Sequence, residues 1–306
     1  MTTRRHDDGY FPRDRSVLRQ VHEERAVGLL YGQRALLIGA LQPLNYLGTV
    51  MHDHGDRLPF QRLSHTGRIF ETVFFGTRAE ADRGLRYTAA VHTRVRGEIP
   101  EAAGPWPGGS VYSATDPALM LWTVACMADS ALALHEALVR RLGDEEREGL
   151  WRDYVRFGVL FGMPRGAAPA TFSGFRDYWQ ERLGSDELVL TDHARRFAPQ
   201  ISFDLPLPGH MLPGLAVLNF LMLGTVPAAV RRRYGLGWSP AHELLFRGLA
   251  TAVRTGRVAV PGGIRHGGNT ALFDLIARTE AEQVRNGKGP LPIAIRSAER
   301  APLTPG

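Results

Sequence analysis

The chain has 306 residues, 44% of them hydrophobic and 22% charged, which is the composition of a folded globular protein and excludes disorder throughout. Its formal net charge is +6, carried almost entirely by arginine because Lys288 is the only lysine. The arginines are interleaved with acidic residues, so the sequence does not predict the basic patch of a nucleic-acid-binding protein. Cys126 is the only cysteine, which excludes an internal disulfide and any zinc or iron–sulfur site built from several thiolates.

The chain has a polar N-terminus and one strongly apolar stretch near residue 220. Residues 1–15 are polar and lack the apolar segment of a signal peptide, so we expect a polar tail and a cytoplasmic protein. Residues 209–230 form the most apolar stretch and have the length of a membrane span. Pro213, Asn219 and Pro227 interrupt this stretch, so we expect a buried core helix and no transmembrane span.

Apolar residues recur at three- and four-residue spacings through most of the chain, which is the pattern of amphipathic helices. Residues 16–53 follow this pattern with a break at Pro43. The next predicted helix ends at Gly76. Thr77, followed three residues later by Glu80, is a capping-box pattern and predicts the start of another helix.

That helix is predicted to run to Gly97, where a stretch rich in proline and glycine predicts an irregular loop. Asp116 as N-cap and Pro117 at the first helical position predict an apolar helix that ends at Gly143. Further helices are predicted at residues 144–162, 171–184, 190–198, 239–256 and 269–287.

Strand signals are thin and are limited to residues 188–192 and 257–263. The sequence therefore predicts an all-α protein with a single multi-helix domain over residues 16–287. A Pro-rich C-terminal tail, residues 288–306, follows it.

Several catalytic signatures are absent from the sequence. It contains no P-loop, no G-x-S-x-G nucleophile elbow and no H-E-x-x-H metalloprotease helix. E-x-x-H is also absent, which weighs against a carboxylate-bridged di-iron bundle.

Three histidines, His52, His54 and His65, lie within 14 residues of one another. His52 and His54, together with Asp56, are residue types that ligate transition metals. On a helix, residues two apart point about 200 degrees apart, so these two imidazoles converge only if the segment is extended. A metal site formed by His52, His54 and His65 stays open as an alternative.

Arg62, His65 and Thr66 form a second polar group. Arg62 and Thr66 are four residues apart and share one face of a helix, and His65 borders that face. A guanidinium, an imidazole and a hydroxyl around one point can bind an anion or position and protonate an oxygen species. The alternative is the solvated start of a helix.

His92 lies on an amphipathic helix among small and apolar residues, including Ala89, Ala90 and Val95. A single histidine on an apolar helix face is usually a core residue whose ring nitrogens are hydrogen-bonded. The same surroundings suit a haem, which needs one neutral imidazole and small neighbours that let the porphyrin approach. The spacing does not separate these two interpretations.

An ordered series of short motifs adds a resemblance to a known family. The motifs are Arg62…Thr66, Phe74–Thr77, His92–Gly97, Tyr112–Pro117, Leu119–Val124 and Leu212–Ser239. Their order and spacing over residues 20–260 resemble the MpaB-like oxygenases, a family that also includes the latex-clearing rubber oxygenases.

The resemblance implies an all-α, globin-reminiscent fold that holds haem b. It implies that His92 is the proximal iron ligand and that Arg62 and Thr66 line the distal side. Arg62, Arg94 and Arg96 are candidates for neutralising the haem propionates. His65 stands where the rubber oxygenases carry the lysine of Arg-x-x-Lys-Thr, and a histidine there can ligate iron or act as a distal acid or base.

The function implied is a haem b-dependent oxygenase or dioxygenase that uses O₂ on an apolar or unsaturated small organic substrate, with Arg62, His65 and Thr66 as catalytic residues. One alternative is a haem-binding redox or sensor protein without turnover, in which His92 and His65 both ligate iron. The other is a non-haem metal protein that uses His52, His54 and His65.

Overall fold

Helices dominate the computed structural model, which describes residues 8–52 and 57–293. These residues contain fourteen α-helices and one two-stranded antiparallel sheet, with 69% of the structure in helix, so the predicted all-α class is confirmed. The helices are α1 (Val17–Glu23), α2 (Arg25–Gly39), α3 (Pro43–Met51), α4 (Pro59–Phe75), α5 (Arg78–His92), α6 (Pro117–Leu138), α7 (Asp144–Leu160), α8 (Phe172–Gly184), α9 (Asp192–Phe203), α10 (Leu212–Thr225), α11 (Ala228–Tyr234), α12 (Pro240–Gly256), α13 (Gly262–Arg265) and α14 (Thr270–Arg285). The strands are β1 (Arg96–Glu98) and β2 (Val111–Ser113).

The helix starts that the sequence predicted from capping residues are confirmed. The Thr77 hydroxyl accepts from the Glu80 amide at 3.3 Å, and the Glu80 carboxylate accepts from the Thr77 amide at 2.8 Å. Asp116 accepts from the amide of Ala118 at 2.8 Å at the start of α6. Pro43 opens α3, where its missing N–H costs no hydrogen bond.

The centre of the core is the pairing of α2 with α6. Trp122 of α6 is fully buried and stacks on Trp179 of α8, with ring centroids 5.5 Å apart. Cys126 is buried in the same helix, as expected for a cysteine whose role is packing.

A buried ionic group links α2, α6 and α10. The Arg34 guanidinium lies 2.9 Å from the Asp129 carboxylate and donates to the hydroxyls of Ser130 at 2.9 Å and Thr225 at 3.0 Å. Arg176 of α8 reaches the other oxygen of Asp129 at 2.7 Å. Because every charge in the group has a partner, its burial is tolerated.

Two predictions about residues 77–116 are wrong in detail. The helix that begins at Thr77 ends at His92 and not at Gly97, and the loop predicted after it contains both strands. Arg96 pairs with Ser113 in the sheet, so the backbone past His92 exchanges helical hydrogen bonds for a ladder with residues distant in sequence. The strand signals at residues 188–192 and 257–263 were also wrong, because neither range forms a strand.

The prediction of one buried core helix over residues 209–230 is wrong as well. Pro227 separates α10 from α11, and the two segments are bent by 117°. Since Pro227 has no N–H, a helix cannot continue through it with its hydrogen bonds intact. Much of α10 faces outward, with Leu212 48% and Val217 47% exposed.

Among the described residues, α6 is the one single helix that is long and apolar enough to cross a membrane. The bent segment of α10 and α11 would be a second if it counted as one span. Most of α6 is buried within the protein.

Candidate active site

The hairpin of α4 and α5 carries most of the residues that the sequence singled out. The two helices are joined by Gly76 and Thr77 and pack against each other. Arg62, His65 and Thr66 lie on α4, and His92 is the last residue of α5. The site is therefore built from two neighbouring helices, one of which is started by the Thr77 capping box.

The His65 ring packs edge-on against Tyr87 of α5, with ring centroids 5.3 Å apart. Its Nε2 atom is buried and has no hydrogen-bond partner among residues 8–52 and 57–293. Burial lowers the pKa of His65, and the positive charges of Arg57 and Arg68 lower it further. The ring is thus held in its neutral form, with one buried nitrogen unpaired.

The His92 ring shares these properties. It lies on the same stripe of α5 as Ala81, Leu85 and Thr88, which are partly or fully buried. Its Nδ1 atom is buried without a partner in the described part of the chain, and burial lowers the pKa of the imidazole. Within residues 8–52 and 57–293, the Nδ1 atom of His92 thus lacks the hydrogen bond that a core histidine usually has, which was one of the two interpretations open from the sequence.

These unpaired nitrogens need an explanation, because an unsatisfied buried polar atom costs roughly 1–3 kcal/mol. Native proteins keep few such atoms, and many of them mark ligands or catalytic roles. The Ser64 hydroxyl, next to His65 on α4, is a third buried polar atom without a partner in the described residues. The α4–α5 pair therefore holds three of the seven unsatisfied buried side-chain atoms among the described residues.

Arg62 and Thr66 share one side of α4, as their spacing predicted. The Thr66 side chain is exposed, and its hydroxyl donates to the carbonyl oxygen of Arg62 at 3.1 Å. The Arg62 guanidinium reaches the carbonyl oxygen of Thr49 on α3 at 3.5 Å. Arg96 is exposed in β1, so its assignment to a cofactor stays a prediction.

The histidine cluster before α4 is only partly described. His52 caps the C-terminus of α3, and its Nε2 lies 3.2 Å from the Tyr112 hydroxyl on β2. His54 and Asp56 lie outside the described residues, so their part in a joint site stays untested. Among the residues that are described, no group of three or more His, Cys, Asp or Glu side chains could hold a metal ion.

A groove of about 770 Å³ opens beside His65. Its wall is formed by α1, α4, α5 and residues 267–270, and its volume is in the range of small-molecule sites. Ile69 and Phe75 provide apolar surface, whereas Arg68 and Arg83 provide positive charge. The contribution of residues 267–270 had no signal in the sequence, because they lie about 200 residues from α4.

The sequence matches one known family over most of its length. A family model described as ER-bound oxygenase mpaB/B'/Rubber oxygenase, catalytic domain, matches residues 19–255. The chain belongs to this family. No curated protein and no solved structure matches it.

Membership of the mpaB/rubber oxygenase family confirms the resemblance read from the motifs and makes the chain a member of an oxygenase family. The matched range includes α4 and α5 and ends before α13 and α14. The family description names no cofactor, so the fit of a haem depends on the residues of the site.

A haem held by histidine needs a neutral imidazole with an unengaged ring nitrogen, and cations can pair with its propionates. His92 and His65 are partly buried, each has a lowered pKa and one buried, unpaired ring nitrogen, and Arg62 supplies a cation on the same helix as His65. Thr66 fits less directly, since its hydroxyl is bonded to its own helix. The residues present therefore fit a haem through the imidazoles.

Proposed function

We propose that the protein is a haem b-dependent oxygenase or dioxygenase that uses O₂ on an apolar or unsaturated small organic substrate. Its membership of the oxygenase family supports the reaction class. The observation that carries the haem assignment is the pair of buried, unpaired imidazole nitrogens on α4 and α5, one from His65 and one from His92.

His92 is the proposed iron ligand. A ligating imidazole must be neutral, and burial lowers the pKa of His92 so that it is neutral at physiological pH. It is the last residue of α5 and is partly buried, with its Nδ1 atom fully buried. When bound, haem would supply the iron centre at which O₂ binds and is activated.

His65, Arg62 and Thr66 have distinct proposed roles as the residues that would act on O₂ or the substrate. Neutral His65 carries one ring N–H and one lone pair, so it can donate a hydrogen bond or take up a proton. Arg62 provides a permanent positive charge one turn before Thr66. The Thr66 hydroxyl can donate to a ligand only after it leaves the Arg62 carbonyl oxygen.

The groove beside His65 is the proposed place for the organic substrate. Ile69 and Phe75 offer apolar contacts there, and the volume of about 770 Å³ admits a small molecule. Since His65 belongs to both the groove wall and the α4–α5 pair, a substrate in the groove would lie next to His65.

One observation favours a second candidate, a haem-binding redox or sensor protein without turnover. Two imidazoles with unpaired nitrogens lie on adjacent helices, and if both held the iron it would have no position left for O₂. The number of histidines that hold the iron therefore separates the two functions.

The test is the absorption spectrum of protein expressed with a haem supply, oxidised and after reduction with dithionite. We expect a Soret band in the wild type that His92→Ala abolishes. The variant His210→Ala removes an exposed histidine and is the matched control, which should leave the band unchanged. His65→Ala should keep the band and slow O₂ consumption with candidate alkenes.

Each alternative function predicts a different spectrum or metal content. A six-coordinate spectrum that becomes five-coordinate in His65→Ala, with no O₂ consumption, would select the redox or sensor protein. Zinc or non-haem iron without porphyrin would select the non-haem alternative. Wild-type protein that forms no Soret band would refute the proposal.

A further inference from the structure

The start of α4 is capped by a side chain from the far end of the chain. Leu58 occupies the N-cap position and has no side-chain acceptor for the free amides of the first turn. Instead, the amide of Phe60 donates to Glu280 Oε1 at 3.1 Å, and the amide of Gln61 donates to Glu280 Oε2 at 2.8 Å. Glu280 of α14 therefore does for α4 what an N-cap residue usually does.

Glu280 is buried, with 5% of its surface exposed. The pKa of its carboxyl is raised overall, because burial outweighs the opposing effect of the hydrogen bonds from Phe60 and Gln61. A buried carboxylate is unfavourable unless hydrogen bonds and positive potential offset the loss of water. The helix N-terminus provides both, so the first turn of α4 accounts for the burial of Glu280.

The same helix braces α4 two turns further along. A Cβ atom added to Gly67 would lie 2.8 Å from the Phe273 ring, so the α4 backbone lies directly against that ring. Arg68, the next residue, forms an ion pair with Asp274. These contacts flank the position of His65 on the C-terminal side, as Glu280 does on the N-terminal side.

A third contact lies one turn beyond. The Glu71 carboxylate accepts from the Thr270 hydroxyl at 2.7 Å and from the Asn269 amide. Positions 60, 67 and 71 fall on one face of a helix, and His65 lies on the opposite side. α14 and the residues before it therefore pack along one side of α4 and extend to the groove that His65 also lines, while the His65 ring contacts Tyr87 of α5.

We infer that Glu280 is a positioning residue of the active site: its carboxylate fixes the first turn of α4 and so sets where Arg62 and His65 stand relative to α5. Residues 266–285 then belong to the active site as the segment that positions α4, although the range matched by the family ends at residue 255. The inference rests on the proposed function only in so far as His65 and Arg62 are site residues.

The test compares Glu280→Gln with Glu282→Gln, a matched change at an exposed position two residues away on the same helix. The glutamine at 280 keeps one acceptor oxygen but sets an NH₂ group against the second amide. Circular dichroism first establishes that each variant is folded, and Glu280→Asp replaces Glu280→Gln if the latter is not.

Two readouts do not depend on a bound haem. One is amide hydrogen exchange of Phe60 and Gln61, and the other is the rate at which diethylpyrocarbonate modifies His65, followed by mass spectrometry. The exposed His210 in the same sample serves as the internal reference. Losing one charge-assisted hydrogen bond should speed amide exchange and His65 modification by about tenfold in Glu280→Gln, whereas Glu282→Gln should match the wild type.

A third readout is the Soret maximum and reduction potential of the haem-loaded protein, which should shift in Glu280→Gln and not in Glu282→Gln. Unchanged modification of His65 in a folded Glu280→Gln protein would overturn the inference. Wild-type protein without a Soret band would instead refute the proposed function, and the two haem-independent measurements would still decide whether Glu280 positions α4.

Discussion

The buried group around Arg34 allows one stability prediction to be worked in magnitude. Arg34→Met removes a side chain that is 1% exposed and ends four contacts, with the Asp129 carboxylate, the Ser130 and Thr225 hydroxyls and the Thr225 carbonyl oxygen. Breaking one side of a buried ion pair generally costs about 3–5 kcal/mol, because the other charge stays buried without its partner.

Arg176 reduces that cost. It remains 2.7 Å from Asp129, so the carboxylate keeps one cation after Arg34 is removed. We therefore expect a loss near the lower end, about 3 kcal/mol. A typical domain is stable by roughly 5–15 kcal/mol, so this loss is large enough to measure with confidence.

The assay is equilibrium unfolding in urea followed by circular dichroism and tryptophan fluorescence. Arg247→Met is the control, since Arg247 is 73% exposed and pairs with Glu243 four residues earlier, which predicts a change below about 1 kcal/mol. The double variant Arg34→Met with Asp129→Leu should recover about 1–3 kcal/mol relative to Arg34→Met, because it removes the buried charge as well. A folded Arg34→Met protein within 1 kcal/mol of the wild type would refute this reasoning.

Two further predictions concern pH and helix packing. Burial lowers the pKa of His22 from 6.5 to about 3. As the pH falls below 6.5, the unfolded chain therefore binds a proton at His22 that the folded protein does not bind, and the folded state loses stability. Between pH 6.5 and 5, the wild type should therefore lose about 2 kcal/mol more than His22→Gln in urea unfolding, and equal losses would contradict the shift. Gly224→Ala should destabilise the protein by about 1–3 kcal/mol, because the added Cβ would overlap the Phe246 ring. At Gly248 of α12 an added Cβ would meet nothing within 4 Å, so Gly248→Ala should stabilise the protein by about 0.5–1 kcal/mol. Thermal melts measure both changes. The opposite order of the two glycine variants would show that Phe246 of α12 does not pack against Gly224 of α10.

The helix starts could be predicted because their signals are local. Thr77 and Glu80 satisfy each other's amides within one turn, and Asp116 caps α6 through Ala118, so these starts need no partner from elsewhere. The end of α5 could not be predicted in the same way. Its last residue is set by the pairing of Arg96 with Ser113, which is a contact between segments that no periodicity reports.

In the candidate site, too, the residue types could be predicted from the sequence, whereas their surroundings could not. His65 and His92 were singled out from spacing and from a resemblance, and the motif series placed the chain in the right family. Whether their ring nitrogens were bonded or free was open, because that depends on what α4 and α5 place around each ring. The packing of the two helices leaves both nitrogens buried and unpaired in the described residues.

The sequence by itself determined the helical class, the caps of α5 and α6, and the residues that identify the oxygenase family. Each of these depends on residues close together in the chain or on the order of motifs along it. Only the tertiary structure decided the bend at Pro227, the groove beside His65 and the role of Glu280. Glu280 and Phe60 are 220 residues apart, and a glutamate on an amphipathic helix looks the same in sequence whether it faces water or caps another helix. The fold alone brings that carboxylate to the first turn of α4.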